Sequence, residues 1–372
     1  AAFFGAIQEK SSLLGTISVS IGRFMELFFH ESVQAFLKDH AGTLTYMNAI
    51  SIVQAMTRTL PLDANEKAIR ETLKNIAEAR ERVSKRELFG PGTKLILFAH
   101  EEGIFDNDKV LKTIWKRSGG KEEDVLVSAK GVEMSSDSKN KQKELTLVAI
   151  RGAHGPVTIL FNGHGSPENW ALKFNKADDL NHSLAPSPYS INYMELGDAL
   201  IASENIRDFN IIGSTCFAHD YLLNLFAYME SKGVTEKPYV SISAANKNQY
   251  GWGGGTIIDS RLLEGLHNMS NTDSPITVEH FFKAESLMWR NQNPSLFVGN
   301  HEEGVKPSHT SGARWEPTME PAQTPDKKPS KNDGAEKPHR SNGDIRQTPP
   351  AKPSEYIEIG TREFPLSVER LV

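Results

Sequence analysis

VTILFNGHGSPENW at 157–170 and FNIIGSTCFAHDYLLNLF at 209–226 have the same layout. Each opens as a short apolar run that reads as a buried strand, and each stops abruptly in small residues that carry one reactive side chain. The first run delivers His164 and the second Cys216, the single cysteine in 372 residues. Parallel strands ending at one edge of a sheet would bring the imidazole and the thiol together.

Working outward, KLILFAH (94–100) and VLVSAKG (125–131) read as further buried strands, with loop and helix between them. ELTLVAI (144–150) reads as a strand that turns through RGAHGP into the run at 157–163, after a Ser/Asp/Lys-rich surface loop at 135–143. Helices are predicted over 193–202 and 219–233, a strand over 239–245, helices over 256–268 and 277–291, and a last apolar segment over 293–299. Strands separated by helices of this length imply parallel pairing with right-handed crossovers. Polar, proline-containing 175–190 reads as a loop near the strand ends, and GWGGG at 251–255 as a pocket loop without the lysine of a phosphate loop.

The first 90 residues read as helical. Apolar residues from Ile21 to Leu37 recur at helical spacing, and Asp63 with Glu66 forms a capping box ahead of Ile69, Leu73, Ile76 and Val83. This region is either packed on the main domain or a removable pro-segment. Between 304 and 355 the chain holds nine of its 19 prolines and few large apolar residues. It cannot bury enough surface to fold alone, and reads as a disordered linker with a docking role for partners. Residues 356–372 regain apolar character. The expected organisation is therefore 1–90 helical, 91–303 the α/β domain, 304–355 linker and 356–372 a short terminal segment.

A net charge of -5 gives no basic excess, so nucleic acid is not an expected partner. No stretch is long and apolar enough for a membrane span. One cysteine excludes intrachain disulfides and a cysteine-rich zinc site. His100, Glu101 and Glu102 lack the spacing of a zinc peptidase motif, so no metal is expected. The small residues Ala1 and Ala2 suit a chain from which a leader was cleaved just ahead of them, which slightly favours an exported protein over a cytoplasmic one.

A thiol after strand 209–215 and before a helix would meet orphan amides and the positive end of the helix dipole, which stabilise a thiolate. His164 could move a proton between that thiol and a leaving group. Gly165, lacking a side chain, could bring its amide against a substrate carbonyl, and with the amide of Cys216 form an oxyanion hole. Of the other histidines, His154 sits in the turn before the central strand, and His219 reads as a capping or supporting group.

The apolar strand ending in His-Gly, followed by one ending in small residues and Cys, resembles the caspase, legumain and gingipain cysteine peptidases. The likeness covers about 94–299. SISAANKNQYG (241–251) is similar to the legumain strand and loop lining the specificity pocket, and NPSLF (293–297) to a closing segment of gingipain-like enzymes. The resemblance implies a caspase-like three-layer sandwich, a mainly parallel sheet with helices on both faces. It implies a Cys216 nucleophile, a His164 acid/base, an oxyanion hole from Gly165 and Cys216, no cofactor, and a peptide or protein substrate. Ser243, Ala244, Ala245 and Asn246 fall where that family reads its substrate. So do Asp106 and Asp108, where an acidic pocket, joined by Asp259, would prefer Arg or Lys. STCFA at 214–218 matches neither the caspase nor the legumain cysteine motif. A catalytically silent scaffold of the same fold and a thiol acyl-hydrolase on a non-peptide substrate stand as alternatives.

Overall fold

A computed structural model describes residues 21–42, 44, 46–99, 101–102, 105–127, 136–171, 190–245, 268, 274–288 and 294–305. The predictions for 128–131, 175–189, 251–255, 256–267 and the proline-rich tail lie outside these residues. The chain divides into two units, Ala1–Ser311 and Gly312–Val372, the latter wholly outside the described residues.

Residues 21–28 are helical, followed by α1 (Glu31–Asp39), α2 (Tyr46–Thr59) and α3 (Glu66–Val83). The single helix expected across 21–37 is two. His30 sits between them in an extended conformation and accepts the Ser32 amide on its side chain, capping α1. The cap of α3 also differs from the expected Asp63–Glu66 box. Asn65 is the N-cap and accepts from the Ala68 amide at 3.0 Å. α2 was not foreseen. Five consecutive residues, Ile52 to Met56, are 5% exposed or less, so the middle of the helix is buried on every side. These helices share a core of Leu27, Val33, Val53, Met56, Leu73 and Ile76.

The chain then alternates. β1 (Glu87–Phe89), β2 (Lys94–Ala99), β3 (Glu101–Glu102) and β4 (Phe105–Asp106) precede α4 (Asn107–Arg117). β5 (Val125–Val127) leads to α5 (Ser136–Gly152), then β6 (Val157–Asn162), β7 (His164–Gly165), β8 (Asn169–Ala171) and β9 (Ser190–Asn192). α6 (Tyr193–Ile201), β10 (Phe209–Ser214), α7 (Ala218–Ser231) and β11 (Val240–Ser243) follow. β12 (Ile276–Thr277), α8 (Val278–Met288), β13 (Ser295–Val298) and β14 (His301–Glu302) complete the described fold.

The main sheet has seven strands in the order β14-β13-β11-β10-β6-β2-β5. From β11 to β5 all pairings are parallel, and β13 and β14 add an antiparallel hairpin at one edge. Helices cover both faces. Leu147, Leu200, Tyr221 and Leu225 from α5, α6 and α7 pack with Ile159, Phe161 and Ile211 on one side. Ile114, Trp115, Phe281 and Ala284 from α4 and α8 pack with Leu97, Leu160 and Ile212 on the other. Each such fully buried large side chain contributes about 1.5–3 kcal/mol. β6 and β10 are buried at every position, which is why they read as unbroken apolar runs.

One prediction is corrected outright. From residue 136 on, the loop expected at 135–143 and the strand expected at 144–150 are a single helix, α5, so no hairpin feeds β6. Its buried side includes Gln142, Thr146, Leu147 and Ile150, while Leu145 and Val148 face solvent. Polar residues inside and apolar ones outside hid the helical period.

α8 begins on a titratable cap. The Thr277 amide and hydroxyl both lie 3.1 Å from His280 Nδ1, so the neutral imidazole accepts the amide. Burial, reinforced by Lys283 and opposed by Glu279, holds His280 below the usual histidine value. The unfolded chain therefore binds a proton first. Stability is full above the ordinary value of about 6.5 and falls as pH drops through the lower native one. Glutamine at this third helical position can accept the same amide. His280→Gln should therefore flatten the acid side of the stability profile while staying within about 0.5 kcal/mol of wild type at alkaline pH. Urea midpoints on both sides of the histidine range test this.

Candidate active site

β6 and β10 are adjacent and parallel, in register from Val157↔Phe209 to Asn162↔Ser214. The two strands therefore end level, with His164 two residues past one end and Cys216 two past the other. His154 lies before β6, at the opposite end of the sheet. After Gly163 the chain leaves the main sheet as β7, which pairs antiparallel with β8 through His164↔Ala171 and Gly165↔Trp170. This small sheet is seated by Trp170. The indole packs over Gly213, where a Cβ would stand 2.7 Å from the ring, and stacks on Tyr221 at 3.8 Å. Burial pushes the Tyr221 phenol well up, and the hydroxyl donates to the Ile191 carbonyl at 3.1 Å.

The two strand ends come close together at Gly165. A Cβ there would lie 2.2 Å from the Cys216 carbonyl oxygen and 2.6 Å from Thr215 Oγ1. Glycine is thus required by the chain's own Thr215–Cys216 segment, a closer constraint than the substrate approach expected from sequence. Gly165 is buried, His164 exposed and Cys216 partly buried. The Cys216 strand end turns into α7 through Phe217, a non-glycine residue in the left-handed region at φ 52°, ψ 25°. Such a residue costs about 1–2 kcal/mol and persists only where its surroundings impose it. The turn places Cys216 immediately ahead of the amino end of α7, where partial positive charge favours an anion.

The expected substrate-reading residues are spread more widely. Ser243 ends β11, Ala244 and Ala245 follow it, and all three are fully buried. The Ala244 amide donates to the Gly213 carbonyl at 2.8 Å and Ser243 Oγ to the Ala245 carbonyl at 2.9 Å. Asp106 closes β4 and Asp108 lies in the first turn of α4. Asn246 and Asp259 lie outside the described residues. His219 is buried within α7, with Nδ1 2.7 Å from Ser295 Oγ.

Sequence reading missed three features here. Thr215 walls the approach to Gly165. Asn162, the last residue of β6, is 1% exposed, and neither polar atom of its side-chain amide has a hydrogen-bond partner. Glu168, in the turn between β7 and β8, has its carboxyl pushed up by burial and by the nearby charge of Asp220, against hydrogen bonds that lower it. Only Asn162 left a trace, a polar residue closing an otherwise apolar run.

Among the described residues no group of three or more His, Cys, Asp or Glu could hold a metal ion, and no helix is long and apolar enough to cross a membrane. The sequence matches no protein-family model and no curated protein.

Proposed function

We propose that the chain is a cysteine endopeptidase of caspase-like fold, with Cys216 as nucleophile and His164 as acid/base. The observation that supports this most directly is the level ending of β6 and β10, with Gly165 seated against the Cys216 carbonyl. His164 and Cys216 flank that contact, each by one residue or none. In this reading His164 takes the thiol proton and the sulfur attacks the peptide carbonyl carbon. The carbonyl electrons move to oxygen, facing the amides of Gly165 and Cys216. On collapse the C–N bond breaks, His164 protonates the departing amine, and a thioester remains. Water, deprotonated by His164, then hydrolyses the thioester and regenerates the thiol.

Intact-mass spectrometry with a peptidyl acyloxymethyl ketone, carrying Arg or Asn at the reacting end, tests the assignment. Wild type should gain one adduct and Cys216→Ala none. His164→Ala should label more slowly by roughly 10²–10⁴-fold. The Arg and Asn probes also rank the acidic-pocket preference. A wild type that stays unlabelled, or an adduct that survives Cys216→Ala, overturns the reading and leaves the silent scaffold in its place.

A further inference from the structure

His219 stands three residues after Cys216, in the first turn of α7, and is 4% exposed. Its Nδ1 lies 2.7 Å from Ser295 Oγ, and its Nε2 3.7 Å from Glu302 Oε2. Ser295 is also hydrogen-bonded to the Glu302 carboxylate. The other oxygen of Glu302 accepts from Arg58 Nε at 3.1 Å, and Arg58 donates as well to the Pro294 carbonyl. Arg58 belongs to α2, and its side chain is 1% exposed. A continuous polar path therefore runs from the N-terminal helices, through the β13–β14 hairpin, to the helix turn that follows Cys216.

The strained Phe217 turn needs holding from both sides. Gly165 and Thr215 hold it on the Cys216 side. Beyond it, the first turn of α7 is tied down by His219. We propose that the N-terminal helices govern the reactivity of Cys216 through the buried chain Arg58–Glu302–His219, in which His219 is a positioning residue for the turn that presents the thiol. This deepens the peptidase reading and rests on it, since it takes Cys216 to be the nucleophile.

The charged groups facing Glu302 are Arg58, Glu303 and His219. Burial pushes the Glu302 carboxyl up, while Arg58 opposes that and Glu303 adds to it. Without the guanidinium, the Glu302 carboxyl is pushed up further and loses the charge-assisted contact that fixes it beside Ser295 and His219. The first turn of α7 is then released and the Cys216 turn relaxes.

Because Cys216 is the sole cysteine, alkylation by iodoacetamide reports on it alone and needs no peptide substrate. Alkylation rates would be followed from about pH 5 to about pH 9 for wild type, Arg58→Met, Glu302→Gln, His219→Asn and Arg58→Lys. Amide exchange at 217–222 would be measured alongside. The native wild type should show a midpoint below the value of about 8.5 of a free thiol, as measured in its denatured chain. Arg58→Met and Glu302→Gln should move that midpoint toward the denatured value, and speed exchange at 217–222 by about tenfold with unchanged circular dichroism. Arg58→Lys keeps the charge and should restore part of both. His219→Asn keeps a donor for Ser295 but gives up Glu302, and should resemble Glu302→Gln. These two milder variants carry the test if Arg58→Met unfolds. A wild-type midpoint equal to that of the denatured chain overturns the nucleophile assignment and this proposal with it. A perturbed midpoint that every folded variant retains overturns the coupling alone.

Discussion

Gly165→Ala should leave a folded protein whose Cys216 reacts at least ~100-fold more slowly with an acylating probe. The added methyl group would stand 2.2 Å from the Cys216 carbonyl oxygen, and its other near neighbours are Thr215 Oγ1 at 2.6 Å and Thr215 Cβ at 2.8 Å. None of these is the far end of a flexible side chain. The β7 strand must therefore lift away, or the Thr215–Cys216 segment must move down into Trp170 and Gly213. Either movement displaces His164 from Cys216 by on the order of an ångström, enough to cost about two orders of magnitude in a positioned reaction. Overpacking of this kind also lowers stability by about 1–3 kcal/mol. A melting curve together with a labelling time course separates the two effects. Wild-type labelling in a folded Gly165→Ala protein would mean that the His-Gly turn is not what sets the thiol's reactivity.

Glu303→Ala should be among the most damaging single changes outside the candidate site. The Glu303 side chain has no solvent exposure and receives a two-pronged contact from Arg80, Nε to Oε2 at 2.9 Å and Nη2 to Oε1 at 2.8 Å. Arg58 Nη2 reaches the same Oε1 at 3.0 Å. Removing the carboxylate leaves two desolvated guanidiniums without the anion they share, a defect worth about 3–5 kcal/mol. That is a large fraction of the ~5–15 kcal/mol that holds a typical domain together. Thermal unfolding should fall by roughly 10 °C. Glu303→Gln, which keeps the shape but not the charge, should recover only a minor part. A loss below about 1 kcal/mol in urea titration would contradict the buried pairing.

The two central strands and their endings were legible because both are buried on two faces. Such strands write continuous apolar runs, and a reactive residue straight after the run is easy to see. The same property made the parallel pairing of the strands legible through the crossover rule, whereas their order was not predicted. What escaped was structure whose burial runs against polarity. In α5 the inward positions include Gln142 and Thr146, and Leu145 and Val148 point out, so hydropathy favoured a loop and a strand. In α2 the residues from Ile52 to Met56 are all buried, which blurs the one-sided stripe that signals a surface helix. Within the candidate site, His164, Gly165 and Cys216 could be named from sequence and His219 read as a supporting group, whereas Thr215 and Phe217 gave no signal of their roles and the partners of His219 were not foreseen. Those roles depend on what the chain meets after it leaves the sheet, and on the hairpin almost eighty residues further on. His301-Glu-Glu-Gly304 carried no signal by itself. Its importance lies in partners far upstream.

That separation bears on how the protein is born. The hydrogen bond from Arg58 to Glu302 spans 244 residues. At about 5–20 residues per second, a ribosome would take roughly 12–50 s to deliver the glutamate after the arginine has been made. Throughout that interval α2 and α3 have no hairpin to close on, and Arg58 and Arg80 remain hydrated. Helices α2 and α3 are thus made long before the contacts that lock them. A nascent chain stalled before residue 302 should therefore carry its N-terminal helices as a protease-accessible, chaperone-binding segment.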